Sequence, residues 1–238
     1  MTRPHPARLS GFTLLETVIA IGVLAVLLTA FMYAFGPAMS GIRHSINIQE
    51  ADRLASTLES ELTTLRSGQQ TAAIKTGFDK SFQWIIQANE PATALFVYQY
   101  RGNPSQRRAD GSLQPVSATS GVAGKDYLVV PMLRQLSDPL LAQDLNALQG
   151  VVFYVKCTQL IYSKGQGLSP GTAGSISDPQ DGTLASKGDD YKQAVIAFAA
   201  DFYSMPANNQ AYFTGSSFKN NFKTHKKPLF TRNLAVRR

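Results

Sequence analysis

Hydrophobic positions fall into three textures along this chain. From Thr17 to Ile42 there are 26 consecutive residues without a charge. A hydrocarbon core of ~30 Å is crossed by about 20 apolar residues in a helix, so the run predicts a membrane-spanning helix over 12–42. It exceeds the apolar core of a secretory signal, roughly 7–15 residues, and no small-residue cleavage site follows it. Next, Ile48, Ala51, Ala55, Leu58, Leu62 and Leu65 recur at spacings of 3, 4, 3, 4 and 3. That is one apolar stripe on an amphipathic helix, which extends the first helix over 43–67 and stops near Ser67-Gly68. A continuous helix from Phe12 to Arg66 would be about 80 Å long. Its second half must then pack outside the bilayer, and a sheet of the same chain is the natural partner.

The third texture, over 68–238, consists of short apolar runs separated by turn residues. Ser81–Gln87 and Ala94–Tyr100 predict strands, the second closed by a turn at Arg101-Gly102-Asn103-Pro104. Residues 102–126 predict a long loop. Tyr127–Leu133 predicts a strand, placed at a sheet edge because Pro131 lies inside it. Ser137-Asp138-Pro139 and the residues after it predict a short capped helix ended by Gly150. Strands follow over Val151–Tyr162, Tyr191–Tyr203 and Phe230–Val236, with a polar loop over 163–190. The expected class is α+β, one long N-terminal helix on an antiparallel sheet.

Composition narrows the chemistry. The chain has 238 residues, 44% apolar and 16% charged, too apolar for a disordered polymer. One cysteine, Cys157, excludes an internal disulfide and a thiolate-rich metal site. His5, His44 and His225 are too far apart for a local histidine motif. The net charge of +7 equals the seven basic residues of 219–238, a stretch without an acid. It reads as a basic C-terminal tail, solvated, with nucleic acid, anionic lipid or an acidic partner subunit as the alternatives. Asp178, Asp181, Asp189 and Asp190 share one loop and are candidate oxygen ligands for Ca²⁺, weighed against a solvated loop. Cys157, inside an apolar strand, reads as an inert buried thiol. No phosphate-binding glycine loop is present. No catalytic residue is expected.

One carboxylate interrupts the first texture. Glu16 is the only acid among the first 49 residues, and it stands at the front edge of the apolar run, where a charge needs a partner or a function. Around it lie a short basic leader with Arg3 and Arg8, then Gly11-Phe12-Thr13-Leu14-Leu15-Glu16, then the apolar helix. This order resembles the class III signal of type IV prepilins and type II secretion pseudopilins, over roughly residues 1–45. The resemblance implies a leader, 1–11, cut between Gly11 and Phe12 by a prepilin peptidase on the cytoplasmic side. It implies N-methylation of Phe12 and a subunit-assembly role for Glu16 against the N-terminal amine of a neighbouring subunit. The expected protein is a minor pilin or pseudopilin of the inner membrane, single-pass, with a periplasmic domain, assembled with other pilin-like subunits. One departure is noted: where the family often has a helix-breaking proline, this chain has Tyr33, and Gly36-Pro37 follows. The alternatives from other classes are a periplasmic binding or enzymatic domain on an uncleaved signal anchor, and a pilin serving DNA uptake or adhesion.

Overall fold

In a computed structural model the fold is described for residues 13–118, 120–163, 167–206, 210–224 and 227–238. The leader, Gly11 and Phe12 lie outside these residues, as does His225. The chain divides between Ile46 and Asn47 into two compact units. The architecture is α+β. The long helix α1 (Leu14–Thr63) contributes its second half to the core of the larger unit through Ala51, Leu54, Ala55, Leu58 and Leu62. Four of these five, all but Leu54, are stripe positions, so the 3–4 spacing does report a helix face packed on a sheet, although α1 ends at Thr63, short of Leu65.

That sheet is antiparallel, with spatial order β3 (Leu128–Gln135), β1 (Leu95–Arg107), β4 (Leu148–Ser163), β8 (Val195–Ser204) and β9 (Phe230–Arg237). Strand β2 (Leu113–Pro115) pairs with the far half of β1, and β5 (Gly167–Pro170) folds back on the end of β4. A separate small hairpin joins β6 (Ile176–Ser177) to β7 (Leu184–Ala185). Both faces of the main sheet are covered. On one, Leu95, Val97, Phe153, Val155, Cys157, Phe198, Phe202 and Val236 meet α1 and α2 (Gly77–Gln87). On the other, Phe96, Tyr98, Tyr100, Met132 and Tyr154 meet Leu141 of α3 (Leu140–Leu145), Phe213 of α4 (Gln210–Thr214) and Phe218 and Phe222 of α5 (Ser216–Lys223). Two-sided burial is why Leu95–Tyr98 of β1 and Val151–Val155 of β4 are unbroken apolar runs rather than alternating ones.

Four expectations are corrected. Ser81–Gln87 is helical: it is the body of α2, whose start lies upstream. The Thr76 hydroxyl accepts from Asp79 N–H at 3.1 Å, and the Asp79 carboxylate accepts from Thr76 N–H at 3.0 Å, a reciprocal cap. Phe78, Phe82 and Ile85 then recur on the buried face. The turn expected at 101–104 does not form. β1 runs on to Arg107, and Pro104 falls in the register irregularity opposite β2, beyond the stretch flanked by β3 and β4. The helix expected to reach Gly150 ends at Leu145; Gly150, at φ +81°, marks a bulge in β4 where the register against β1 shifts. The basic stretch 219–238 is not a free tail, since it includes the end of α5 and all of β9, with Phe218 and Phe222 in the core. Pro131 does sit on an edge strand: among the described residues β3 pairs with β1 alone.

Candidate functional site

The segment that carries the sequence motif is the first half of α1. Thr13 caps it: its hydroxyl accepts from Glu16 N–H at 3.2 Å and its carbonyl from Thr17 N–H at 3.2 Å. Hydroxyls farther along are satisfied within the helix, Thr17 on the Leu14 carbonyl, Thr29 on Ala25 and Ser45 on Gly41. An apolar surrounding therefore leaves none of these three groups without a partner. Pro37 is built into the helix, and Phe31 stacks on Phe35 with centroids 4.0 Å apart. Leu14, Leu15, Val18, Ile19, Leu24, Leu27 and Phe31 are each more than half exposed, and no residue of the most apolar 18-residue window is buried. A helix that is apolar all round and bare all round is one whose surface a bilayer or another apolar surface would cover. Among the described residues this is one helix long and apolar enough to cross a membrane, and it lies near the N-terminus. A single-pass membrane protein fits it.

Glu16 is exposed, and among the described residues its carboxylate has no ion-pair or hydrogen-bond partner. Gly11 and Phe12, where cleavage and methylation are expected, lie outside the described residues.

No protein family, no curated protein and no solved structure matches the chain.

The four aspartates of the 178–190 segment are not brought together. Asp178 is buried, and its Oδ1 accepts from Gln180 N–H and from the Gln193 amide. Asp181 accepts from Thr183 N–H and Lys192 Nζ, which hold its carboxyl down at about 2. Asp190 lies 3.9 Å from Lys187. Among the described residues no group of three or more His, Cys, Asp or Glu side chains is arranged to hold a metal ion. The expectation of a Ca²⁺ loop is corrected accordingly: Asp178 and Asp181 lie in the turn of the β6–β7 hairpin, and Asp189 and Asp190 lie beyond it. Cys157 is buried, and burial first, then the Asp201 charge, pushes its thiol well above the usual range, an environment that disfavours the reactive thiolate.

Sequence reasoning missed a charged cluster inside the larger unit. Arg134 is buried and donates through Nε to Asp144 at 2.7 Å, through Nη1 to Asp138 at 2.8 Å and through Nη2 to Asp110 at 3.0 Å. Asp144 also accepts from Arg108 at 2.6 Å and from the Tyr98 hydroxyl at 2.6 Å. Burial, reinforced by the Asp144 charge, pushes the Tyr98 phenol well up. A cavity of about 420 Å³ opens beside the cluster, lined by Trp84, Asp110, Arg134, Gln135 and Asp138. The Arg134 guanidinium directs four of its five N–H groups to three carboxylates and a serine hydroxyl, so its charge is already matched within the protein. The cluster reads as a structural clamp, tying β3 to α3 and to the turn after β1. Only the four-residue spacing of Arg134 and Asp138 was visible beforehand.

Proposed function

We propose that the chain is a structural subunit, a minor pilin or pseudopilin, of a type IV pilus or type II secretion filament. It is inserted in the inner membrane with its C-terminal domain in the periplasm. A prepilin peptidase processes it between Gly11 and Phe12, and it assembles with other pilin-like subunits through its N-terminal helix. The observation that carries this reading is the Gly11–Glu16 motif at the head of a bare apolar helix, with one carboxylate in its first turn that is unpaired among the described residues. Two opposite charges in an apolar medium attract far more strongly than in water. Each is penalised when alone, so a pairing of Glu16 with a neighbour's Phe12 amine rewards correct axial register.

The test is the N-terminus of the mature protein. A chain recovered from its native membrane should begin with N-methylated Phe12, by mass spectrometry of its first peptide. A chain that retains Met1 overturns the reading in favour of a tethered domain. Glu16→Ala should leave membrane insertion and cleavage intact and strongly reduce co-purification with other pilin-like subunits; unchanged co-purification removes the assembly role.

A further inference from the structure

The cavity beside the Arg134 cluster is walled by four stretches that are distant in sequence. The segment between α1 and α2 supplies Gln69 and Ile74, and α2 supplies Trp84. The turn after β1 supplies Asp110, and the end of β3 with the connection to α3 supplies Gln135 and residues 137–140. All four stretches belong to the larger unit. The volume of about 420 Å³ lies within the roughly 300–1,000 Å³ of small-molecule sites.

What this cleft can hold follows from which of its groups are still available. The main-chain N–H groups of Gln69, Ile74 and Asp138 donate to the carbonyls of Arg66, Thr71 and Gln135, and that of Leu140 donates to the Asp138 carboxylate. Backbone pairing, which is how an extended peptide is held, therefore has little to engage. The surrounding charges also cancel: Arg66, Lys80, Arg108 and Arg134 stand with Glu61, Asp110, Asp138 and Asp144. A ligand with a net charge would lose its hydration here and meet no net countercharge. What remains is neutral hydrogen-bonding capacity. Among the described residues the Gln69 amide nitrogen, the Gln135 amide oxygen and the Ser137 hydroxyl have no hydrogen-bond partner, since Gln69 uses only its oxygen and Gln135 only its nitrogen. An ionised carboxylate can accept about four bonds. Asp138 receives one on each oxygen, from Arg134 and Leu140 N–H. Asp110 receives Arg134 on one oxygen and the Ser112 N–H and hydroxyl on the other. Both are thus fixed acceptors with capacity to spare. Between them Ile74, Trp84, Pro139 and Leu140 give the wall its apolar surface.

We infer that this cleft binds an uncharged saccharide. A sugar ring carries both complementary surfaces at once. Its hydroxyls donate to positioned carboxylates and accept from amide and hydroxyl groups, and its C–H faces lie against an indole and aliphatic side chains. Arg134 already neutralises the carboxylates, so they accept hydroxyl donors without calling for a cation. The clamp holds these acceptors in place before a ligand arrives, which lowers the cost of binding. The cleft lies in the larger unit, and the inference does not rest on the filament reading.

Trp84 is the only tryptophan of the chain, so tryptophan fluorescence reports on this cleft alone. The full-length chain is reconstituted in phospholipid vesicles, which carry neither a second tryptophan nor a sugar headgroup. It is titrated with uncharged trisaccharides of glucose, galactose, mannose and N-acetylglucosamine, with the triamine made by deacetylating the last, and with trialanine. The expected result is a saturable change with at least one uncharged trisaccharide, a weaker one with the triamine and none with trialanine. Gln135→Ala and Ser137→Ala take no part in the Arg134 ion pairs. Each should weaken saccharide binding about three- to tenfold, the usual worth of one hydrogen bond. Ser137 is exposed, so its variant keeps the test valid if Gln135→Ala fails to fold. No saturable response to any of the four saccharides, a stronger response to the triamine, a response to trialanine, or an affinity unchanged by Ser137→Ala and Gln135→Ala each overturns the inference.

Discussion

Two buried cations govern stability at the scale of single residues. Arg134 holds three carboxylates, and removing it leaves Asp144, fully enclosed, facing only Arg108 and Tyr98. Breaking a buried pair from one side typically costs about 3–5 kcal/mol, so Arg134→Ala should lower unfolding free energy by that order, read by urea denaturation in detergent. Lys80 is the second. Its ammonium donates to the carbonyls of Glu61 at 2.8 Å and Thr64 at 2.6 Å, where α1 ends, and lies 4.3 Å from the centre of the Trp84 ring. It thus satisfies carbonyls that the end of α1 leaves open. Burial, only partly offset by the Glu61 charge, lowers its pKa from 10.5 to about 8. Between those values the unfolded chain holds a proton that the folded chain has released, so stability rises with pH across that window and is flat below it. Lys80→Met removes the titrating group. The stability difference between wild type and variant should therefore shift in favour of wild type from pH 7 to pH 10, by denaturation at both. Neither cation was legible as a core residue, because a charge in a polar-looking segment reads as surface until its partners, distant in sequence, are brought to it.

At the scale of elements, legibility followed how far each element's cause is local. The stripe from Ala51 to Leu62, the β4 and β8 runs and the edge position of β3 could be read because burial imprints its period on neighbouring residues. The α2 helix could not be read from Ser81–Gln87, where Trp84-Ile85-Ile86 looks like strand. Its cause is the Thr76–Asp79 cap, together with Phe78, just outside that window. What fixes α2 against α1 is still less visible: a Cβ on Gly77 would overlap the Thr63 carbonyl. Gly77→Ala therefore forces the two helix ends apart. It should destabilise by about 1–3 kcal/mol, as overpacked sites do, against a gain in helix propensity of less than about 1 kcal/mol. A melting temperature below wild type checks the sign; a higher one means the junction yields freely. The bulge at Gly150 and the continuation of β1 past Pro104 belong to the same class, since both depend on a partner strand that local sequence does not name.

At the scale of the whole molecule, the distribution of burial separates two tasks. Every buried residue of α1 lies at Ala51 or beyond, and both core clusters draw all their members from Ala51 onward. The stretch before Ile46 contributes apolar surface and nothing to either core. The resemblance around Glu16 was readable because it lies in consecutive residues and needs no tertiary partner to be seen. A chain beginning at Asn47 should therefore keep its fold. It retains the Arg134 cluster, the Lys80 bond to the end of α1 and both faces of the sheet, and it loses the uncharged run long enough to cross a membrane. The expected outcome is a detergent-free soluble domain whose circular dichroism, per residue, keeps the strand signal and loses helix. Its thermal midpoint should fall within a few degrees of the full chain in detergent, since a change of about 1 kcal/mol moves a domain of 150–250 residues by only ~2–4 °C. Flotation with vesicles of inner-membrane phospholipid should recover the full chain and leave the shortened one behind. Aggregation or loss of cooperative melting in the shortened chain would mean that the apolar half of α1 stabilises the domain as well as anchoring it.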